Sequence, residues 1–118
     1  MSHAARILIV EDEPNARAAL RELLSDEGYD VRSAADGNDA RRRLDDFAPD
    51  LLLTDVHMPG MDGLGLVAAA RRRDHAPAVV LMSARDDGGA ADAPWLEKPI
   101  DIDALLAIIA TELRARRH

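Results

Sequence analysis

The chain has 118 residues, room for one domain, and 47% of them are apolar, enough to form a core at this length. A formal net charge of -7 argues against a sequence-blind nucleic-acid surface, and the absence of cysteine excludes disulfides and thiolate metal sites. No apolar run approaches the ~20 residues of a membrane span and nothing resembles a signal peptide, so a cytoplasmic domain spanning 1–118, with no membrane or direct nucleic-acid partner, is expected.

With only Tyr29, Phe47 and Trp95 as aromatics, the core must be built from Leu, Ile, Val and Ala. The first apolar run, Ile7 to Val10, is continuous rather than alternating, as in a strand covered on both faces of a parallel sheet. Pro14 then opens a helix whose apolar positions are Ala16, Ala19, Leu20, Leu23 and Leu24, and Gly28 ends it. A weaker strand follows at Tyr29 to Ser33, and a weaker helical stripe at Ala40, Leu44 and Phe47, before Pro49. Leu51 to Leu53 is the second strong strand; after the turn Pro59 to Gly63, the positions Leu64, Val67, Ala68 and Arg71 predict a third helix. Val79 to Met82 is the third strong strand, and Trp95 to Leu96 a short one. In the last helix Asp101 is the expected cap, and Ile102, Leu105, Leu106, Ile109 and Leu113 form one stripe. The runs Arg41 to Arg43 and Arg71 to Arg73 are short and interleaved with acids, and read as solvated helix faces. His3, His75 and His118 read as isolated surface residues.

Strands alternating with helices predict a doubly wound α/β sheet, whose functional groups gather beyond the carboxyl ends of the strands. Those places hold Glu11 and Asp12, then Asp55, then Ser83, then Lys98. Taken singly, each has a plain structural role: Glu11 or Asp12 capping the helix at Pro14, Asp55 forming a turn, Ser83 opening a loop, Lys98 lying exposed. Taken together they imply more. Three carboxylates at one sheet edge raise one another's pKa unless a cation intervenes, and carboxylates, waters and a phosphate oxygen are the usual Mg²⁺ ligands. A lysine and a hydroxyl complete a site for a phosphoryl group. Asp62 reads as a helix cap rather than a further ligand.

The segments Val10-Glu11-Asp12-Glu13-Pro14, Thr54-Asp55-Val56-His57-Met58-Pro59-Gly60-Met61-Asp62-Gly63, Ser83-Ala84 and Lys98-Pro99 resemble the receiver domain of two-component response regulators. The resemblance covers nearly the whole chain. It implies a flavodoxin-like, five-stranded parallel sheet of order 2-1-3-4-5. It implies phosphorylation of Asp55 by a sensor histidine kinase or phosphotransfer protein, with Mg²⁺ or another divalent ion such as Mn²⁺. Asp12 and Asp55 are the implied direct metal ligands, with the His57 backbone carbonyl, and Glu11 acts through water. Ser83 and Lys98 are implied to bind phosphoryl oxygens, and self-catalysed phosphotransfer and autodephosphorylation come with the family although it is not an enzyme class. Trp95 matches the position of a rotating aromatic, while its neighbours alone read as edge-strand packing. A phosphorylation-dependent homodimer is one form the output takes among relatives; the output partner here is unnamed.

One segment departs from the family pattern. Arg85 to Pro94 is ten residues with Gly88-Gly89 and no apolar stripe, where a full fourth helix is usual. Ten extended residues reach ~33 Å, enough to return along a ~17 Å strand and shift one strand sideways. As a helix they advance only ~15 Å. A loop or at most one helical turn is expected, so the fourth helix is shortened or absent. Two other functions compete. A pseudoreceiver keeps the fold as a phosphorylation-independent interaction module, but usually lacks one of the acidic pair, acceptor or lysine. An aspartate-nucleophile phosphatase wants a second aspartate where this chain has His57.

Overall fold

The computed structural model describes residues 3–58, 61–84 and 92–116. Five strands, β1 (Arg6–Val10), β2 (Asp30–Ala34), β3 (Leu51–Asp55), β4 (Ala78–Ser83) and β5 (Trp95–Glu97), form one parallel sheet of order β2-β1-β3-β4-β5. Four helices occur among the described residues: α1 (Pro14–Asp26), α2 (Gly37–Asp46), α3 (Gly63–Arg71) and α4 (Ile102–Arg116). This is the doubly wound order that the motifs imply, with the strand order reversing between β1 and β3.

The continuous apolar strands are buried on both faces because successive side chains point opposite ways. Ile7 and Ile9 of β1 join Leu20 and Leu24 of α1 and Leu105 and Ile109 of α4 on one face. Leu8 and Val10 join Ala40 and Leu44 of α2 and Leu66, Val67 and Ala70 of α3 on the other. Each fully buried leucine contributes about 1.5–3 kcal/mol relative to exposure.

Two helical stripes are displaced from the sequence reading. On α3 the buried positions are Gly63, Leu66, Val67 and Ala70; Leu64 is only partly buried and Ala68 is exposed, so the helix is rotated from the expected stripe. On α4 Leu105 and Ile109 are fully buried, but Ile102, in the first turn, is 43% exposed and lies outside the core cluster that they join. Leu106 and Leu113 are partly buried against the core.

The end of α1 follows from one residue. Gly28 has φ +96, a conformation that other residues adopt at a cost. The short fourth crossover falls mostly on residues 85–91, outside the described residues; its described flanks, Ala84 and Asp92 to Pro94, hold no helix. On that face Ala93 and Trp95 pack against the core that α2 and α3 cover. Pro59, Gly60 and His118 also lie outside the described residues. Among the described residues, no helix is long and apolar enough to cross a membrane.

Candidate functional site

At the end of β1 the chain leaves the sheet through Glu11, whose N–H donates to the Ala34 carbonyl at 3.2 Å and whose side chain is buried. Neither Glu11 nor Asp12 caps α1. Glu13 does, accepting from Asn15 N at 3.0 Å and Ala16 N at 2.7 Å, while Pro14 occupies the first helical position where no N–H is needed. The acidic pair is therefore not consumed by the helix. Glu11 Oε1 accepts from the Glu13 N–H at 3.2 Å, and the Asp12 carboxylate is exposed.

Asp55 ends β3 and is 5% exposed. The following residue returns an N–H to the Met82 carbonyl of β4 at 2.9 Å, and the Thr54 hydroxyl donates to the Asp55 carbonyl at 3.0 Å. Gly63 packs its backbone directly under this turn. A Cβ there would lie 2.1 Å from the Asp55 carbonyl oxygen and 2.8 Å from that of Val56, so only glycine lets α3 start so close. The N–H of Gly63 donates to the Val56 carbonyl at 2.9 Å, and Asp62 caps α3 by accepting from Leu64 N at 2.8 Å. Asp62 is thus committed to the helix, as its position in the sequence predicts.

Beyond β5 the Lys98 N–H donates to the Ser83 carbonyl at 2.7 Å, which fixes the lysine at the sheet edge, and the Lys98–Pro99 peptide is cis. Its ammonium donates to Glu11 Oε2 and Asp55 Oδ2, each at 2.8 Å. Oxygens of Glu11, Asp12 and Asp55 all lie within 4.8 Å of one another. The adjacent pair Glu11 and Asp12 thus meets Asp55 and Lys98, both far away in sequence, at one strand-end edge.

Burial pushes the Asp55 carboxyl up to about 6; the Lys98 bond opposes this and the adjacent Glu11 reinforces it. Burial also acts to raise Glu11, but bonds from Lys98, from Asp55 and from the Glu13 amide outweigh it and hold Glu11 below its usual range. Lys98 is moved by burial toward neutrality, yet its two carboxylate partners win and hold its pKa above the ordinary lysine value. With all groups ionised, three negative charges against one positive leave two, which a divalent cation neutralises. Hard oxygen donors at this separation and charge suit Mg²⁺.

The remaining candidates are placed differently. Ser83 ends β4, buried beside this edge and paired in register with Glu97. His57 is exposed, in a two-residue antiparallel ladder of His57–Met58 with Met61–Asp62. That ladder was not foreseen, because two-residue strands leave no periodicity to read. Trp95 pairs with Leu81 and packs, half-buried, on the core. The roles of Glu13 and Gly63 were also missed, although proline after an acid and Asp-Gly before a helix are readable signals.

A cleft of about 250 Å³ runs from Lys98 along α1, walled by Ala16, Ala19, Leu20, Pro99 and Ile100. The larger cavity, about 560 Å³, lies at the opposite ends of the strands, remote from the carboxylates. There His75 is not isolated: it is 3.3 Å from Asp50 and 3.0 Å from Arg116, which also donates to the Ala76 carbonyl at 3.0 Å. Those groups satisfy one another.

Residues 7–110 match the response regulator receiver domain family. The chain is 39% identical over 111 residues to the transcriptional regulatory protein TcrA of Mycobacterium tuberculosis, covering 86% of this chain and 43% of that protein. It is 33% identical over 120 residues to PrrA of Mycobacterium leprae, covering 94% of this chain and 51% of that protein. It thus spans about half the length of these curated relatives. Among solved structures, chemotaxis protein CheY4 of Vibrio cholerae superposes with a TM-score of 0.86 at 28% identity, covering 93% of this chain and 99% of that one. The response regulator TrrA of Thermotoga maritima, in complex with Mg²⁺ and BeF, gives 0.80 at 30% identity, covering 91% and 97%. The chain belongs to the response regulator receiver domains, the signalling domains of two-component systems.

Proposed function

We propose that this domain accepts a phosphoryl group on Asp55 from the phosphohistidine of a sensor histidine kinase or phosphotransfer protein, in a Mg²⁺-dependent reaction, and so changes its surface for an output partner. The observation that carries the reading is the convergence of Glu11, Asp12 and Asp55 with Lys98 across two of them. An Asp55 carboxylate oxygen attacks phosphorus; the new O–P bond forms as the P–N bond breaks, and the imidazole leaves with its electron pair. Glu11, Asp12, Asp55 and the His57 carbonyl are the residues assigned to Mg²⁺, or Mn²⁺ in its place. When bound, the ion offsets the charge of the carboxylates and the phosphoryl oxygens. Lys98 exchanges a carboxylate bond for one to a phosphoryl oxygen, and the Ser83 hydroxyl donates to another.

The acyl phosphate carries about two negative charges into a site whose acceptor is nearly buried, so it cannot be neutral toward its surroundings. Movement of Ser83 toward it is passed to β5 through Lys98, the residue after that strand, whose N–H is bonded to the Ser83 carbonyl, and Trp95 on β5 reports the change. The whole chain, 1–118, acts as one cytoplasmic receiver. The Mg²⁺–BeF complex of the Thermotoga relative supports this chemistry, and it is the presence of Glu11, Asp12, Asp55 and Lys98 together in this chain that weighs against the pseudoreceiver alternative.

The test is a ¹H–¹⁵N spectrum with Mg²⁺ before and after beryllofluoride. Shifts centred on Asp55, Ser83 and Lys98, abolished in Asp55→Asn, are expected. A wild-type spectrum indifferent to beryllofluoride contradicts the proposal and leaves a phosphorylation-independent interaction module.

A further inference from the structure

Arg17 sits in the first turn of α1, with its own N–H bonded to the Glu13 carbonyl at 2.9 Å. A cation is disfavoured there, because the helix N-terminus already carries partial positive charge. Its side chain does not turn to solvent. The guanidinium reaches back over the cap, and Nη1 donates to the Glu11 carbonyl at 3.0 Å and approaches that of Asp12 at 3.5 Å.

The acidic pair needs such an anchor. Glu11 is held at both carboxylate oxygens, by the Glu13 amide and by Lys98. Asp12 has no comparable restraint: its carboxylate is exposed, with no hydrogen bond or ion pair to the described residues. Its place among the three oxygens is therefore set by its main chain. Among the described residues Arg17 is the side chain bonded to that main chain, its Nη1 reaching both neighbouring carbonyls from a planar guanidinium that a shorter, flexible lysine does not reproduce.

We infer that Arg17 is a positioning residue for the carboxylate site, holding the Glu11–Asp12 backbone so that the Asp12 oxygen stays within reach of those of Glu11 and Asp55. The inference rests on the proposed reading that these carboxylates bind Mg²⁺. It is separable from simple electrostatics by sign. Removing a cation near an acidic site tightens divalent binding if charge alone matters. Removing a backbone anchor weakens it.

The experiment is a Mg²⁺ titration of the wild type, Arg17→Met and Arg17→Lys, followed by the amide shifts of residues 11–13 and 55, which report only on folded molecules. The expected result is a Kd raised about tenfold in Arg17→Met, in the range found for groups that orient metal ligands, with a smaller rise in Arg17→Lys. Kd unchanged or lowered in both variants, with Mg²⁺ still bound by the wild type, overturns the role of Arg17 alone. If Arg17→Met does not fold, the Arg17→Lys Kd decides by the same criterion. A wild type whose shifts ignore Mg²⁺ overturns both this inference and the reading beneath it.

Discussion

Asp55 and Glu11 are similarly buried carboxylates that share one ammonium, yet they are driven in opposite directions, Asp55 up to about 6 and Glu11 down. The folded metal-free protein therefore binds more protons at Asp55 than the unfolded chain between pH 3.8 and about 6, and this group's contribution to stability falls as pH rises through that window. Glu11, with a depressed value, contributes stability that is present above its unfolded pKa and lost as pH falls through its folded one. Lys98 contributes stability that is present below 10.5 and lost as pH rises through its raised folded value. A ¹³C titration of the Asp55 carboxyl without Mg²⁺ is expected to give a midpoint near 6, moved higher by Lys98→Met, which removes the opposing cation. A midpoint at the ordinary 3.8 contradicts the burial account. Gly63 gives a second residue-level prediction. Gly63→Ala forces a methyl into the Asp55 and Val56 carbonyls, so a loss of about 1–3 kcal/mol in urea denaturation and a displaced Asp55 are expected. Gly65→Ala, in the same helix but with open space around it, is expected to stabilise by about 1 kcal/mol. Equal effects at the two glycines contradict the close approach.

Elements were legible in the sequence to the extent that their signal is local. The three central strands β1, β3 and β4 coincide with continuous apolar runs, because burial on both faces writes one, whereas the edge strands β2 and β5 left weaker signals. Pro14 and Gly28 mark α1 by backbone chemistry alone. Asp62 and Asp101 were readable as caps for the same reason, and the structure has Asp101 accepting from Ala104 N at 3.2 Å. Which face a helix buries is decided by its partner, so the stripes of α3 and α4 were partly misplaced. Ile102 and Leu105 look equivalent on a helical wheel, but only Leu105 joins the buried core. Leu105→Ala is expected to cost about 2–5 kcal/mol, and Ile102→Ser less than about 0.5 kcal/mol, in thermal or denaturant unfolding. Comparable losses from both contradict the observed placement of α4.

Across the whole molecule, the site belongs to no single element. Glu11, Asp55 and Lys98 come from the ends of three different strands, and the parallel order β2-β1-β3-β4-β5 is what brings those ends to one edge. The residue types at the strand ends made this edge readable, because a doubly wound sheet has one functional edge. The pairing of Lys98 with both carboxylates was not readable, since it depends on distances across the sheet. The most direct test is the intact mass of the protein after incubation with Mg²⁺ and a small-molecule phosphodonor such as acetyl phosphate, in wild type and Asp55→Asn. One phosphoryl group on the wild type and none on Asp55→Asn is predicted; no adduct on the wild type, or an equal adduct on both, contradicts Asp55 as the acceptor.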